Sequence, residues 1–213
     1  MSFEQAAVFP VNYPTAYHAL VDRARARAGE TLVVLGAAGG TGFAAVQVGK
    51  HLGLRVIASA SSEAKRAVAL AGGADVVVAT GSENWRKQVA DANGGKPFDI
   101  VFDPVGGPAT ELTFHTLGYD GRHLVVGFPA GIPALPTNRA LLKCASLIGV
   151  QIRGQALERP GEARFSRQTV MALAQLGIFR PAIARQYPIE QYAIAMEQAF
   201  AGTLAGRVVM TMA

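Results

Sequence analysis

The sequence predicts an α/β fold, a doubly wound six-stranded parallel sheet, on three observations. From Thr31 to Val150, short β-branched runs alternate with helix-length amphipathic segments. The runs are apolar throughout rather than at every second residue, as strands buried on both faces of a parallel sheet require. Glycine, 24 of 213 residues, gathers in short clusters between the runs, where tight turns belong, rather than in low-complexity tracts.

The predicted strands are residues 31–35, 55–59, 75–78, 98–102, 123–126 and 146–150. Helices are expected at 41–52, 63–71, 83–92 and 109–117, so each parallel pair is joined by a right-handed crossover. Before this core of about 29–150 lies a leader, helical from Tyr13 to Ala28. After it, the tail 151–213 carries helices near 164–176 and 189–200 and a last strand at 207–212, whose place the pattern does not fix. With no repeat and no long linker, residues 1–213 read as one domain.

Half of the residues are hydrophobic and 16% are charged, enough for a packed core. No apolar run reaches the roughly 18 residues that span a bilayer, and the first residues carry no signal-peptide pattern. The single Cys144 excludes an internal disulfide, and a reducing, cytoplasmic setting is expected. Cys144 opens an apolar strand and is expected to be buried. The net charge of +5 raises nucleic acid as a partner. Arg23, Arg25 and Arg27, however, alternate along a predicted helix and splay to different faces, so a solvated cationic surface is expected instead. Nucleic-acid binding would show steep salt dependence.

The strongest motif runs G-A-A-G-G-T-G-F-A-A over 36–45, directly after a strand and at the start of a helix. Such a turn needs residues tolerant of unusual backbone angles, and missing side chains let the backbone approach a pyrophosphate at a helix N-terminus. Residues 40–45 fit G-x-G-x-x-A, while Ala37, Gly39 and Gly42 fit A-x-G-x-x-G; both belong to the dinucleotide fingerprint of Rossmann folds. A Walker loop is excluded, since no Lys-Ser or Lys-Thr follows. The second strand ends A-S-A-S-S (58–62), without the acid that holds a ribose diol in NAD sites. Ser59, Ser61, Lys65 and Arg66 offer a 2′-phosphate hydroxyls and cations, which favours NADPH. The competing reading leaves Lys65 and Arg66 as ordinary surface residues of a helix.

The run V-V-L-G-A-A-G-G-T-G-F-A-A-V-Q-V-G-K (33–50) resembles the cofactor loop of zinc-free, zeta-crystallin-like quinone oxidoreductases of the medium-chain dehydrogenase/reductase superfamily. So do F-P-V-N-Y-P-T-A-Y-H-A-L (9–20), A-G-G-A-D-V-V-V (71–78), F-D-I-V-F-D-P-V-G-G (98–107), G-R-H-L-V-V-G-F (121–128) and A-G-R-V-V-M (205–210). The resemblance covers nearly the whole chain and is to the C-terminal, cofactor-binding part. It implies that Thr15 lies by the nicotinamide and that Gly39, Gly40, Thr41 and Gly42 form the pyrophosphate loop. It further implies Ser61 and Lys65 at the 2′-phosphate, and Asp103, Val105, Gly127 and Phe128 bordering the cofactor at the tips of the fourth and fifth strands. The chain departs from the family at Ala79-Thr80-Gly81, where relatives often carry an aromatic near the adenine side. It also lacks a counterpart of the N-terminal barrel-like domain that forms most of the family's substrate pocket. A truncated product or an isolated cofactor domain is therefore expected, with Ile178, Phe179, Ile183, Tyr187 and Tyr192 of the tail exposed or paired with another subunit.

Metal chemistry is not expected. One cysteine and the scattered His18, His51, His115 and His123 supply neither zinc set of the superfamily's alcohol dehydrogenases. There is no G-x-S-x-G elbow for ester hydrolysis. Hydride transfer remains, with the chemistry held by the cofactor. Tyr13 is the one local candidate for a proton donor, against a packing role, and the catalytic residues stay unassigned. The expected function is NADPH-dependent reduction of a quinone, an activated C=C or a carbonyl; the alternative is a non-catalytic NADPH-binding module. A strand beginning at Ser146 and ending at Val150 would form an apolar sheet edge, and relatives pair there, so a homodimer is expected.

Overall fold

A computed structural model describes residues 1–81 and 84–212 of the chain. The central sheet has six parallel strands: β1 Thr31–Val34, β2 Arg55–Ala60, β3 Val76–Ala79, β4 Phe98–Asp103, β5 Leu117–Val125 and β6 Ser146–Gly149. Their order is β3-β2-β1-β4-β5-β6, so the chain reverses its direction of winding between β1 and β4. In an open α/β sheet that reversal opens a crevice at the strands' C-terminal ends. The connecting helices are α2 Gly40–His51, α3 Glu63–Ala71, α4 Trp85–Ala92 and α5 Pro108–Thr116. Glu83, the expected first residue of the fourth helix, lies outside the described residues.

The continuous apolar runs divide by side-chain alternation between two cores. Leu32 and Val34 face one cluster with Val48, Val56, Phe102 and Leu124. Val33 and Leu35 face the other, with Ile57, Trp85, Val101 and Phe114. Both sets are nearly inaccessible to solvent, which is why these positions are apolar on both faces of the sheet.

The leader forms α1, Phe3–Tyr17, followed by a π-helical stretch His18–Arg23. This helix starts ten residues before the expected Tyr13, because Ser2 and Gln5 close a capping box ahead of it. Pro10 and Pro14 lie within it, yet Phe9, Tyr13 and Ala16 bury one face against the core, and that burial outweighs the missing N–H donors. The expected run to Ala28 stops sooner: the helical stretch ends at Arg23, and Arg25 sits at φ 50°, so the three arginines do not share one helix.

The tail contains α7 Ile152–Glu158, α8 Pro160–Gln175, β7 Ile183–Pro188, α9 Tyr192–Ala201 and β8 Arg207–Thr211. β7 and β8 pair in parallel as a separate two-stranded sheet, with α9 as the crossover. α6, Asn138–Lys143, precedes β6. The sequence pattern missed α6, α7 and β7, which are short and carry little periodicity. Cys144 is exposed, contrary to expectation: it caps α6 at φ 49° and its thiol donates to the Tyr119 hydroxyl at 3.2 Å. Phe179 and Tyr187 are buried within the chain rather than exposed, whereas Ile178 and Tyr192 are 43% and 62% exposed. No helix of the described residues is long and apolar enough to cross a membrane.

Phe179 packs at 5.3 Å from Tyr13 and edge-on to His51, so it ties the tail to the leader and to α2. Phe179→Ala should lower unfolding stability by about 3 kcal/mol in urea titration, as expected for a large fully buried ring. A loss below about 1 kcal/mol would mean that the tail is not part of the cooperative unit.

Candidate cofactor cleft

β1 ends in the turn 35–39, with Gly36 at φ 57°, a left-handed angle that favours glycine. The Gly39 N–H donates to the Gly36 carbonyl at 2.9 Å, and Gly39 itself is the N-cap of α2. A Cβ on Gly42 would lie 2.2 Å from the Gly36 oxygen, so α2 can approach β1 this closely only without a side chain there. Its first amide N–H groups, which lack intrahelical acceptors, then lie at the open end of the sheet. Thr41 is anchored from the leader, its hydroxyl donating to Asn12 Oδ1 at 3.0 Å.

Above this turn lies a cleft of about 380 Å³. Of the residues singled out from the sequence, Gly39, Gly40, Ser61, Lys65 and Val105 line it. Ser62 caps α3 through a hydrogen bond from the Lys65 N–H, so Ser61 and the Lys65 side chain come together at the tip of β2. The Lys65 ammonium donates to Ser61 Oγ at 3.3 Å and to the Gly202 carbonyl of the tail. Arg66, one residue on, turns back to the Ala60 carbonyl at 3.4 Å.

Other predicted residues stand behind the lining. Ser59 is fully buried, its hydroxyl accepting from Trp85 Nε1 at 3.0 Å and sharing a 2.8 Å hydrogen bond with Thr80, which does line the cleft. Thr15 is buried on α1 and donates back to the Val11 carbonyl at 2.7 Å. Gly106 takes φ 74° beside Phe128, where any Cβ would meet the Phe128 Cα at 2.7 Å, and Gly127 lies against the Pro104 carbonyl. Phe128 is half exposed.

Asp103 is a strut at the end of β4. Its carboxylate accepts from the Val105 and Gly106 N–H groups at 2.8 Å each, from Thr110 Oγ1, and from His123 Nε2 at 3.1 Å. Because a carboxylate only accepts, His123 carries its proton on Nε2. Burial alone would push the Asp103 pKa up, but the bonds from His123, the Gly106 N–H, Thr110 and the Val105 N–H outweigh it and hold the carboxyl below its ordinary value. The carboxylate is thereby spent on fixing the turn that carries Val105.

Tyr13 is not available as a proton donor to substrate. It is 1% exposed, stacks on Phe9 with ring centroids 4.4 Å apart, and donates to Gln47 Oε1 at 2.8 Å. Burial raises its pKa far above the ordinary tyrosine range. The packing role is the one that the geometry supports.

The tail supplies the part of the cleft that sequence reasoning assigned no residue to. Gln198, Gly202, Leu204 and Arg207 line it, and Arg207 Cδ would lie 2.7 Å from a Cβ on Gly40. The Gly206 N–H donates to the Ala38 carbonyl at 3.1 Å, which fixes this approach. The only signal was the A-G-R-V-V-M block; nothing local in it says that it returns to the glycine turn. Among the described residues no carboxylate lines the cleft and no three His, Cys, Asp or Glu side chains converge on a metal position.

A family model described as zinc-binding dehydrogenase matches residues 40–166. Human quinone oxidoreductase is 30% identical over 213 residues, all of this chain and 64% of the human protein. The chain thus spans less than two thirds of the length of that relative. A probable oxidoreductase from Mycobacterium abscessus superposes with a TM-score of 0.84 at 34% identity, over 97% of this chain and 62% of the other. A putative alcohol dehydrogenase from Sinorhizobium meliloti 1021 gives 0.89 at 30% identity, over 100% and 56%.

Asp103 provides a test of the strut. Its folded pKa lies below its unfolded one, so its stabilisation is complete above roughly pH 4 and is lost as pH falls through the lower folded value. Asp103→Asn should cost about 2 kcal/mol at pH 7, with the gap from the parent constant down to roughly pH 4 and narrowing below it in urea unfolding. A gap independent of pH would rule out the ionised strut.

Proposed function

Because this chain belongs to the zinc-binding dehydrogenase family, the cofactor-binding part of the medium-chain dehydrogenases and reductases, we propose that it is the NADPH-binding part of an oxidoreductase that reduces a quinone, an activated C=C or a carbonyl. The observation that carries this reading is the charge of the cleft. Lys65 and Arg207 line it, with Ser61 and Thr80 as hydroxyl partners and no carboxylate among the described lining residues. A diol-binding NAD site needs an acid at the β2 tip, and here Ala60 and Ser61 stand there.

The cleft fits a dinucleotide. The glycine turn leaves room at the α2 N-terminus for a pyrophosphate, and Arg207 beside Gly40 is placed to neutralise it. Ser61 and Lys65 would hold the 2′-phosphate through charge-assisted hydrogen bonds. Val105 would border the nicotinamide, with Thr15 and Phe128 behind and beside it. NADPH, when bound, supplies the hydride. The chain's own residues would bind and orient it, with Val105, and Phe128 beyond it, on one side of the ring. Zinc takes no part in this reading, which rests on the single exposed Cys144 and the absence of a convergent ligand set among the described residues. We place the protein in a reducing, cytoplasmic compartment on the same free cysteine.

One observation favours a second reading, a cofactor-binding module without turnover: Tyr13 is sealed in the core, and no described residue lining the cleft is an ordinary proton donor such as His, Asp, Glu or Tyr. Calorimetric titration with NADPH and NADH, followed by a quinone-reduction assay, separates the two. NADPH should bind at least about tenfold tighter, and Lys65→Ala should remove about 1.5 to 3 kcal/mol of that binding while leaving NADH unaffected. Equal affinity for the two cofactors would overturn the 2′-phosphate pocket; tight binding without quinone turnover would establish the second reading.

We also propose a homodimer through β6. It is the edge strand of the sheet, with Leu147 exposed on it and Leu141 and Leu142 exposed on the adjacent α6. An apolar edge is a template for a second copy. Light scattering should report a dimer for the parent and a monomer for Leu147→Lys; a monomeric parent would dismiss the interface.

A further inference from the structure

A second concentration of cations lies apart from the cofactor cleft and shares no lining residue with it. Arg86 of α4, Pro108, Glu111, Leu112 and His115 of α5, and Arg139 of α6 line an open cavity of about 190 Å³. A neighbouring cavity of about 400 Å³ shares His115 and Arg139 and continues along Pro136, Leu142 and Lys143. Arg139 contacts His115 Nδ1 and reaches Glu111 Oε1 at 3.5 Å. The Lys143 ammonium caps the end of α5, donating to the His115 carbonyl and, at 2.7 Å, to the Leu117 carbonyl. Arg86 has no hydrogen bond or ion pair to any described residue.

Helix capping explains Lys143, and a surface ion pair explains part of Arg139. Neither explains why Arg86 converges on the same cavity. Among the described residues, three cations and one carboxylate line the two joined cavities, a surplus that self-repulsion makes unfavourable in a protein without a ligand. The surplus matches the charge of a phosphate dianion, and paired guanidinium groups are the side chains best shaped to grip one. Beyond His115 and Arg139 the adjoining cavity is lined by Pro136, Asn138, Leu142 and Lys143, so that Pro136, Leu142 and the aliphatic stem of Lys143 offer a wall that suits an apolar group.

We propose that the cleft between α4, α5 and α6 binds a phosphomonoester, its phosphate held by Arg86 and Arg139 and its apolar group lying along Pro136 and Leu142. His115 reports on occupancy. Its pKa is held below the ordinary histidine value by burial first and then by Arg86, Arg139 and Lys143, with Glu111 opposing. A bound dianion offsets those three cations and raises it. Lys143 is lowered in the same way, by burial, Arg86 and Arg139.

The test follows the His115 ring proton by NMR against pH, assigned with His115→Gln, in chloride, inorganic phosphate and phenyl phosphate at equal ionic strength. Phenyl phosphate should raise the His115 midpoint by about half a unit or more over chloride. Inorganic phosphate should do so at higher concentration, because it lacks the apolar group. Arg86→Gln, which removes no hydrogen bond or ion pair to a described residue, should weaken the phenyl phosphate effect at least about fivefold. Lys65→Ala should leave it intact, which separates this site from the cofactor cleft. Equal midpoints in chloride and phenyl phosphate, or an unchanged response in Arg86→Gln, would overturn the proposal; equal potency of the two phosphates would overturn the apolar subsite.

Discussion

The site depends on the close approach of α2 to the turn that ends β1. Gly42 passes so near the Gly36 carbonyl that one added carbon would force strand and helix apart. Gly40 is constrained from the other side, by Asn12 of the leader and Arg207 of the tail. The glycines of this turn therefore serve two distances at once. They let the first turn of α2 reach the sheet, and they let side chains from far along the sequence reach the first turn of α2. At Gly40 an alanine would meet only side chains, whereas at Gly42 the obstacle is backbone.

The leader and the tail give the turn its surroundings. Gln47 of α2 is the junction: its side-chain oxygen accepts from the Tyr13 hydroxyl and from the Arg180 N–H, and its amide donates to the Arg180 carbonyl. Phe9, Tyr13 and Phe179 pack over it as one aromatic group. With α2 clamped from both ends of the chain, the Gly206–Ala38 hydrogen bond and the Lys65–Gly202 contact bring the tail across the mouth of the cleft. The pocket is thus formed by segments more than 130 residues apart in sequence, and its shape depends on packing at Phe179 as much as on the loop.

What was legible in the sequence follows from this division. The six strands, their parallel order and the glycine turn were legible because burial on both faces and a tight strand-to-helix turn each impose a local pattern. Ser61, Lys65 and the missing acid were legible because they sit at a fixed offset from that turn. α6, α7 and β7 were not legible, since each is a short element held by contacts with distant residues rather than by its own periodicity. Arg207 and Gln198 were invisible as site residues for the same reason. Cys144 misled because an apolar strand follows it, while the residue itself has the left-handed conformation of a helix cap. Tyr13 offered a proton donor only through its nearness in sequence to Thr15, and the packing role weighed beside it is the one that its burial and its stacking on Phe9 support.

The sign of the cleft depends on where its one nearby buried carboxylate points. Asp103 lies at the end of β4, near the cleft proposed to hold the cofactor's phosphates, and a free carboxylate there would repel them. All of its hydrogen bonds run inward, to Thr110, His123 and the two N–H groups of the following turn, so it fixes Val105 without lining the cleft. The polar side chains that line the cleft among the described residues are hydroxyls, cations and the Gln198 amide. The same rule applied to α4, α5 and α6 gives the opposite balance of evidence: there a carboxylate, Glu111, does face the cavity and still leaves a positive surplus. In both places the net charge of the chain says little, and the direction in which a few ionised groups are turned says which ligands the surface can hold.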